Sequence, residues 1–152
     1  MMSRRVVIGL LPLFFGGSVF AQQPACQCGA GVRLVEPALT TLLAGKTVCA
    51  ALGAETWQEY HAGATAAGGA LSDWKRGPGH PVDPTKVVGR WSVVDVPDAL
   101  ERSLVKYQYS GGSVYLYSVC QANTSVSFCG APYGGRNITG ATLRAGQVSC
   151  SP

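Results

Sequence analysis

Cysteine is the residue type that decides how this chain can be held together. The sequence contains six of them, and all lie after residue 25, at Cys26, Cys28, Cys49, Cys120, Cys129 and Cys150. An even number of cysteines in an exported chain predicts three disulfides, and the spacing leaves their pairing open. Cys26 and Cys28 lack the two-residue spacer of a zinc knuckle, and no second close pair follows. We therefore predict disulfides and no metal site.

The first 21 residues have the three-part form of a secretory signal. Arg4 and Arg5 precede an apolar run over residues 6–15, and Val19 and Ala21 lie just before the predicted cleavage point. The apolar run is about half the length that crosses a bilayer, which favours a cleaved leader over a membrane anchor. The sequence therefore predicts a secreted or periplasmic protein that has no membrane span after cleavage near Ala21.

Removal of residues 1–21 leaves 131 of the 152 residues, which is enough for one domain. Residues 22–31 show no periodicity and are predicted to form a mobile N-terminal arm, followed by a single β-rich domain over residues 32–152. Loss of Arg4 and Arg5 leaves ten cations against eight acids, so the net charge falls from +4 to +2. This small charge does not indicate nucleic acid as a partner.

Apolar residues recur at a helical spacing near the start of the mature chain. Pro37 suits a first helical turn and Gly45 suits an exit, and the stripe consists of Val32, Val35, Leu39, Leu42 and Leu43. The spacing predicts one short helix over residues 32–43.

From Lys46 onward the chain consists of short runs rich in Val, Tyr, Thr and Trp, separated by Gly, Pro, Asn and Asp. Such runs are typical of antiparallel strands. The predicted strands cover residues 46–51, 56–62, 70–75, 87–94, 104–109, 113–119 and 124–130, with a weaker candidate at 147–150. The fold class is therefore mainly β, a small antiparallel meander or barrel of seven or eight short strands, with one short N-terminal helix and stabilising disulfides.

The clearest hairpin surrounds Gly111 and Gly112, which suit a two-residue turn. Such a turn places Tyr109 opposite Val114 and Lys106 opposite Tyr117. Tyr115 and Tyr117 then share a face with Lys106 and Gln108, which is typical of a partly wet surface or a polar barrel lumen. We predict that Tyr115 and Tyr117 contact a ligand or partner.

The stretch "DWKRGPGHPVDPT", residues 73–85, contains three prolines and two glycines. Proline restrains its own backbone and that of the preceding residue, so the segment is predicted to be a stiff, exposed loop. We predict further contact residues here: Trp74, Lys75, Arg76 and His80. The three tryptophans Trp57, Trp74 and Trp91 are predicted to fill the core from neighbouring strands, and a ligand-stacking cluster is the alternative.

A catalytic alternative uses residues that could converge. Glu59 and His61 are two apart on a predicted strand and so share a face, while His80 and Asp83 lie on the loop. Together they could bind a divalent metal or cleave a phosphodiester by acid–base chemistry, as small secreted ribonucleases do. The sequence lacks the common nucleophile, metalloprotease and phosphate-loop motifs. We therefore favour a non-catalytic protein with no cofactor.

Two resemblances add to this reading. The ordered series "KTVCA", "WQEYH", "DWKRGP", "VDPT", "VVGRW", "YQYSGG" and "SFCG" resembles small exported bacterial proteins with no assigned activity. The step Gly89-Arg90-Trp91 also resembles the Gly-x-Trp at the first strand of lipocalins and of bacterial protease inhibitors with a similar barrel. The second resemblance implies a barrel that binds a small apolar ligand or plugs an enzyme.

Three functional hypotheses follow from the sequence. The first is a binding or inhibitory module whose partner is a protein or a small apolar or saccharide ligand. The second is a small secreted hydrolase that uses Glu59, His61 and His80. The third is a structural envelope or appendage component that polymerises through strand edges.

Overall fold

The computed structural model describes residues 28–29, 31–53, 55–73, 86–96 and 103–150. This part of the chain contains one α-helix, α1 (Ala38–Leu43), one 3₁₀ turn (Ala131–Tyr133), and nine strands. The strands are β1 (Val32–Leu34), β2 (Lys46–Leu52), β3 (Glu55–His61), β4 (Gly69–Asp73), β5 (Lys86–Asp95), β6 (Ser103–Tyr109), β7 (Val114–Ala122), β8 (Ser125–Cys129) and β9 (Asn137–Ala145).

Strands β2 to β9 form a closed antiparallel barrel. Each strand pairs with the next along the chain, and β9 pairs with β2, where Thr47 lies opposite Arg144. Strand β1 is a ninth strand that adds to β7. The predicted mainly β fold is confirmed. Closure gives each of the eight barrel strands a partner on both sides, which satisfies backbone groups that an open sheet edge would expose.

Helix α1 covers one end of the barrel, which we call the closed end. Leu39 and Leu43, one helical turn apart, are fully buried in the core. The chain then turns at Gly45, whose N–H donates to the carbonyl of His61 at 2.8 Å. Because consecutive strands alternate in direction, the β2–β3, β6–β7 and β8–β9 connections lie together at the other end, which we call the open end.

The predicted helix is confirmed only in its second half. Residues Val32–Leu34 form strand β1 instead, with Leu34 opposite Val119 of β7. Glu36 precedes a proline, which disfavours helical geometry, so the helix can begin only after Pro37. The helix ends at Leu43, and the chain turns away two residues later at Gly45, which has φ of +68° and is the predicted exit.

The strand that sequence analysis missed is β9. Asn137 and Gly140 interrupt its pattern, and Gly140 has φ of +72° beside an irregularity in the pairing with β8. The weaker candidate at residues 147–150 is wrong, because this segment hydrogen-bonds to side chains instead of joining a ladder. The N–H of Val148 donates to Thr47 Oγ1 at 3.2 Å, and that of Cys150 donates to Gln58 Oε1 at 2.6 Å.

Two disulfides connect the outer segments to the barrel. Cys28 bonds to Cys120 of β7, and Cys49 of β2 bonds to Cys150, with Cα separations of 5.3 and 5.6 Å. Cys129 is also disulfide-bonded, and no cysteine is free within the described ranges. The prediction of disulfides is thereby confirmed for the five described cysteines, and it suits a protein outside the cytoplasm.

We predict that the third disulfide joins Cys129 to Cys26, the cysteine that lies outside the described residues. Only Gln27 separates Cys26 from Cys28, and the sulfurs of Cys120 and Cys129 are 4.0 Å apart. Disulfide mapping must therefore distinguish pairings among four neighbouring cysteines. It requires fragmentation of the non-reduced, disulfide-linked peptides by tandem mass spectrometry. Fragments joining Cys28 to Cys120 and Cys26 to Cys129 are expected. The crossed pairs, or a free thiol, would contradict this pairing.

The core consists of side chains that point into the barrel, many of them aromatic, and of the apolar side chains of α1 that pack on them. Trp91 of β5 is fully buried and its Nε1–H donates to the carbonyl of Ala62 at 2.7 Å. Gly89 allows close approach of β6, because a Cβ there would meet the backbone of Gln108 and Tyr109. Trp57 and Trp91 fill the interior from β3 and β5, whereas Trp74 lies outside the described residues. No helix in the described part is long and apolar enough to cross a membrane.

Candidate functional site

The β6–β7 hairpin has a three-residue loop, not the predicted two-residue turn. The N–H of Tyr109 donates to the carbonyl of Ser113 at 2.9 Å, and Gly112 takes the positive φ, +90°. Tyr107 therefore lies opposite Tyr115, and Gln108 lies opposite Val114. Side chains alternate along a strand, so this shift of one residue moves the β7 tyrosines to the opposite face from the one predicted.

The corrected register brings the tyrosines of both strands into the barrel interior. Tyr115 and Tyr117 share the inward face with Tyr107 and Tyr109. Tyr115 is 41% exposed and Tyr117 is buried, so this face runs from solvent towards the core. Sequence analysis left a wet surface and a polar lumen open for the two β7 tyrosines; they lie in the barrel interior beside Tyr107 and Tyr109, and not beside Lys106 and Gln108 as predicted.

A cavity of about 820 Å³ occupies the open end of the barrel. Its volume falls in the range of small-molecule sites. Four aromatic side chains, one cation and one aliphatic residue dominate its wall: Trp57, Tyr109, Tyr115, Tyr117, Arg136 and Ile138.

Edge-to-face contacts hold the aromatic wall in place. The Tyr109 and Tyr115 rings have centroids 5.8 Å apart at 78°, and Trp57 meets Phe128 at 6.1 Å. Tyr117 packs against Phe128 at 6.0 Å, which anchors the wall to the buried core. Such contacts fix the rings relative to one another, so the wall is formed before any ligand arrives.

Glu59 lies on β3, one inward position deeper than Trp57. It is 2% exposed, and Tyr109 donates its hydroxyl to Glu59 Oε1 at 2.5 Å. The other oxygen, Oε2, is buried and has no hydrogen-bond partner among the described residues. Burial raises the pKa of Glu59 to about 7; hydrogen bonds from the side chains of Tyr109 and Trp57 oppose this rise, and the Asp73 carboxylate, opposite on β4, adds to it. Near neutral pH this carboxyl group therefore exchanges between its charged and neutral forms.

His61 lies deeper still and is fully buried. Its Nδ1 is 3.1 Å from the carbonyl oxygen of Glu59, so Nδ1 carries the hydrogen and donates. Its Nε2 then accepts from the hydroxyl of Tyr107 at 2.9 Å. Burial lowers the pKa of His61 to about 4, so the ring is neutral. Both nitrogens are engaged, which gives His61 a structural role in the core.

The predicted site residues fall into two groups. Tyr115 and Tyr117 line the cavity. Trp74, Lys75, Arg76 and His80 lie outside the described residues, so their contacts remain predictions. The segment that carries them joins β4 to β5, and Asp73 and Lys86, its neighbours in the chain, lie opposite each other.

The predicted shared face of Glu59 and His61 is correct, but it points into the barrel. His80 and Asp83, the other members of the catalytic alternative, lie outside the described residues. Within the described ranges no group of three or more His, Cys, Asp or Glu residues could hold a metal ion. Because His61 is closed off and bonded at both nitrogens, nothing in the site favours acid–base catalysis through it.

Sequence reasoning missed Tyr109 and Arg136 as cavity residues, and named Trp57 only in the alternative of a ligand-stacking tryptophan cluster. Trp57 shares the inward face with Glu59 by simple alternation, and Tyr109 follows from the correct hairpin register. Arg136 lies in the connection before β9, a strand that was not predicted, so no local signal placed it.

No protein-family model matches this sequence, and the searches of curated proteins and of solved structures found no match either. The resemblances to small exported bacterial proteins and to lipocalins thus stay predictions. A small β-barrel of this kind fits a binding module.

Proposed function

We propose that the protein is a small secreted or periplasmic binding module that captures a ligand at the open end of its barrel. The observation that carries this proposal is the cavity of about 820 Å³, walled by Trp57, Tyr109, Tyr115 and Tyr117. A preformed concave site with aromatic walls and a few polar groups is the usual form of a small-ligand site. The leader-like first 21 residues and the paired cysteines support export.

The wall favours a ligand with an apolar body, such as an aromatic group or the face of a saccharide ring. Aromatic rings offer flat apolar surface, and tyrosine hydroxyls can add hydrogen bonds to a ligand. Tyr115 is an exposed aromatic residue at the start of β7, beside the opening. It gives a ligand that extends beyond the cavity, including an inserted segment of a protein, an apolar surface to contact.

Replacing Tyr115 with alanine is expected to weaken binding of an apolar aromatic probe about tenfold, or about 1.4 kcal/mol. The ring lines the cavity and touches Tyr109, so its loss removes wall surface and loosens a second wall residue. The measurement is a fluorescence titration with N-phenyl-1-naphthylamine, an uncharged fluorophore that brightens in apolar sites.

Val114→Ala is the matched control for this titration. Val114 is adjacent in sequence and exposed, but it points away from the interior because side chains alternate along β7. Its loss is expected to leave the probe affinity within about twofold of the parent. Equal effects of the two substitutions, or no binding to the parent protein, would rule out the proposed cavity function.

A further inference from the structure

Glu59 presents a buried oxygen atom that nothing in the described part of the chain satisfies. Glu59 is only 2% exposed, and its Oε2 has no hydrogen-bond partner among the described residues. Buried polar atoms without partners are rare, and each is costly when the group is charged. The aromatic cavity begins one layer above Glu59: Trp57, on the same inward face, and Tyr109, bonded to Glu59, both line the cavity, and Glu59 itself lies behind them.

We propose that the cavity binds ligands that carry a protonated amine, with the ammonium group held among the rings of Trp57, Tyr109 and Tyr117 and attracted by the carboxylate of Glu59, which lies one layer deeper. This proposal rests on the proposed ligand-binding function and names the chemical class of the ligand. It does not require any residue outside the described ranges.

The charges around Glu59 favour a cation at this position. The groups that face it from the packed strands are Asp73 on β4, Tyr107 and Tyr109 on β6, and Tyr117 on β7, with His61 neutral on β3 itself. Burial raises the pKa of Tyr107 and Tyr109 well above the usual range, so their hydroxyls stay protonated. An ionised carboxylate at this depth attracts a positive charge, and an ammonium ion in the cavity supplies that charge.

The aromatic walls add to the same preference. A cation within about 6 Å of a Trp or Tyr ring face is attracted by the ring quadrupole, most strongly where water is excluded. Two basic residues lie near the opening. Arg136 lines the cavity and Lys86 lies opposite Asp73, but both are exposed, so water and salt screen their charge more than that of buried Glu59.

The test compares two probes that share a body and differ in charge, 4-phenylbutylammonium and 4-phenylbutanol. Binding is followed by the indole ¹H–¹⁵N resonance of Trp57, assigned from a Trp57→Phe variant. At pH 8 we expect the ammonium probe to bind at least about tenfold more tightly than the alcohol. Glu59→Gln keeps the shape and removes the charge, and it is expected to reduce this preference to about twofold or less.

The pH dependence has a defined sign. The carboxyl group of Glu59 has a pKa of about 7, so it is mostly protonated at pH 6 and mostly ionised at pH 8. The probe amine, with a pKa of about 10 like that of lysine, stays charged over this range. Affinity for 4-phenylbutylammonium is therefore expected to rise up to about tenfold from pH 6 to pH 8. Affinity for 4-phenylbutanol is expected to stay constant.

Glu36→Gln is the matched control, since it removes the same charge near α1, where Glu36 accepts a hydrogen bond from Thr40. It is expected to keep both the preference and its pH dependence. Equal binding of the two probes would overturn the ammonium assignment and leave the cavity function standing. Tighter binding of 4-phenylbutanoate would overturn it in favour of an anion at Arg136. Failure of all three probes to bind would remove both proposals.

Discussion

Replacing Trp91 with alanine is expected to lower the free energy of unfolding by about 3–5 kcal/mol. The ring is 1% exposed and contacts His61 edge-to-face with centroids 5.3 Å apart. Its Nε1–H donates to Ala62, so truncation removes apolar burial and also leaves a carbonyl without its donor. Denaturant unfolding followed by far-ultraviolet circular dichroism, with the disulfides intact, measures the loss.

Trp57→Ala is the matched comparison for Trp91→Ala. Trp57 already borders the cavity, so its removal enlarges a space that is open to water, whereas removal of Trp91 creates a void within the core. The Trp57 variant is therefore expected to lose less stability and to lose binding of the aromatic probe. The assigned core position of Trp91 would be wrong if its variant lost less than about 1 kcal/mol.

Removal of the Cys49–Cys150 disulfide is expected to cost about 2–5 kcal/mol of stability. The bond joins residues 101 apart in sequence, so its loss frees a long loop in the unfolded chain. In the folded protein it holds the segment after β9 against β2, next to the hydrogen bond from Cys150 to Gln58. The double variant Cys49→Ala/Cys150→Ala, compared with the parent by denaturant unfolding, tests this.

Gln58→Ala separates the covalent contribution from the local hydrogen bond. It removes the acceptor of the Cys150 N–H and keeps the disulfide, so its expected cost is about 1 kcal/mol. The disulfide contribution would be refuted by a double variant that unfolds at the same denaturant concentration as Gln58→Ala.

Local pattern predicted the strands well because each depends on its own residues. Strands β2 to β8 follow runs of β-branched and aromatic residues, and their predicted bounds lie within a few residues of those observed. Strand β9 was missed because Gly140 breaks the alternation and is accommodated only through the pairing with β8. The short helix was placed too early because β1 gains its partners from β7, which lies about 90 residues further along the chain.

The candidate site could be predicted only in part, because its position depends on register and closure. Sequence alternation put Glu59 and His61 on one face, but only the β9–β2 pairing makes that face the inside of a barrel. The register of the β6–β7 hairpin depends on the length of its loop. The loop includes Ser110 and has Gly112 at positive φ, so it is one residue longer than predicted, and Tyr115 lies on the opposite face from the one predicted. Such choices are decided by long-range pairing, which local residue patterns do not encode.

Helix α1 also limits the shape of what the barrel can recognise. Leu39 and Leu43 fill one end of the barrel, so a ligand of the proposed site would enter from the open end, tip first. The barrel would then recognise terminal groups, such as the last unit of a polymer or the head of an amphiphile. Its selectivity would then depend on how a molecule ends, and the rest of that molecule would remain in solvent beyond Tyr115.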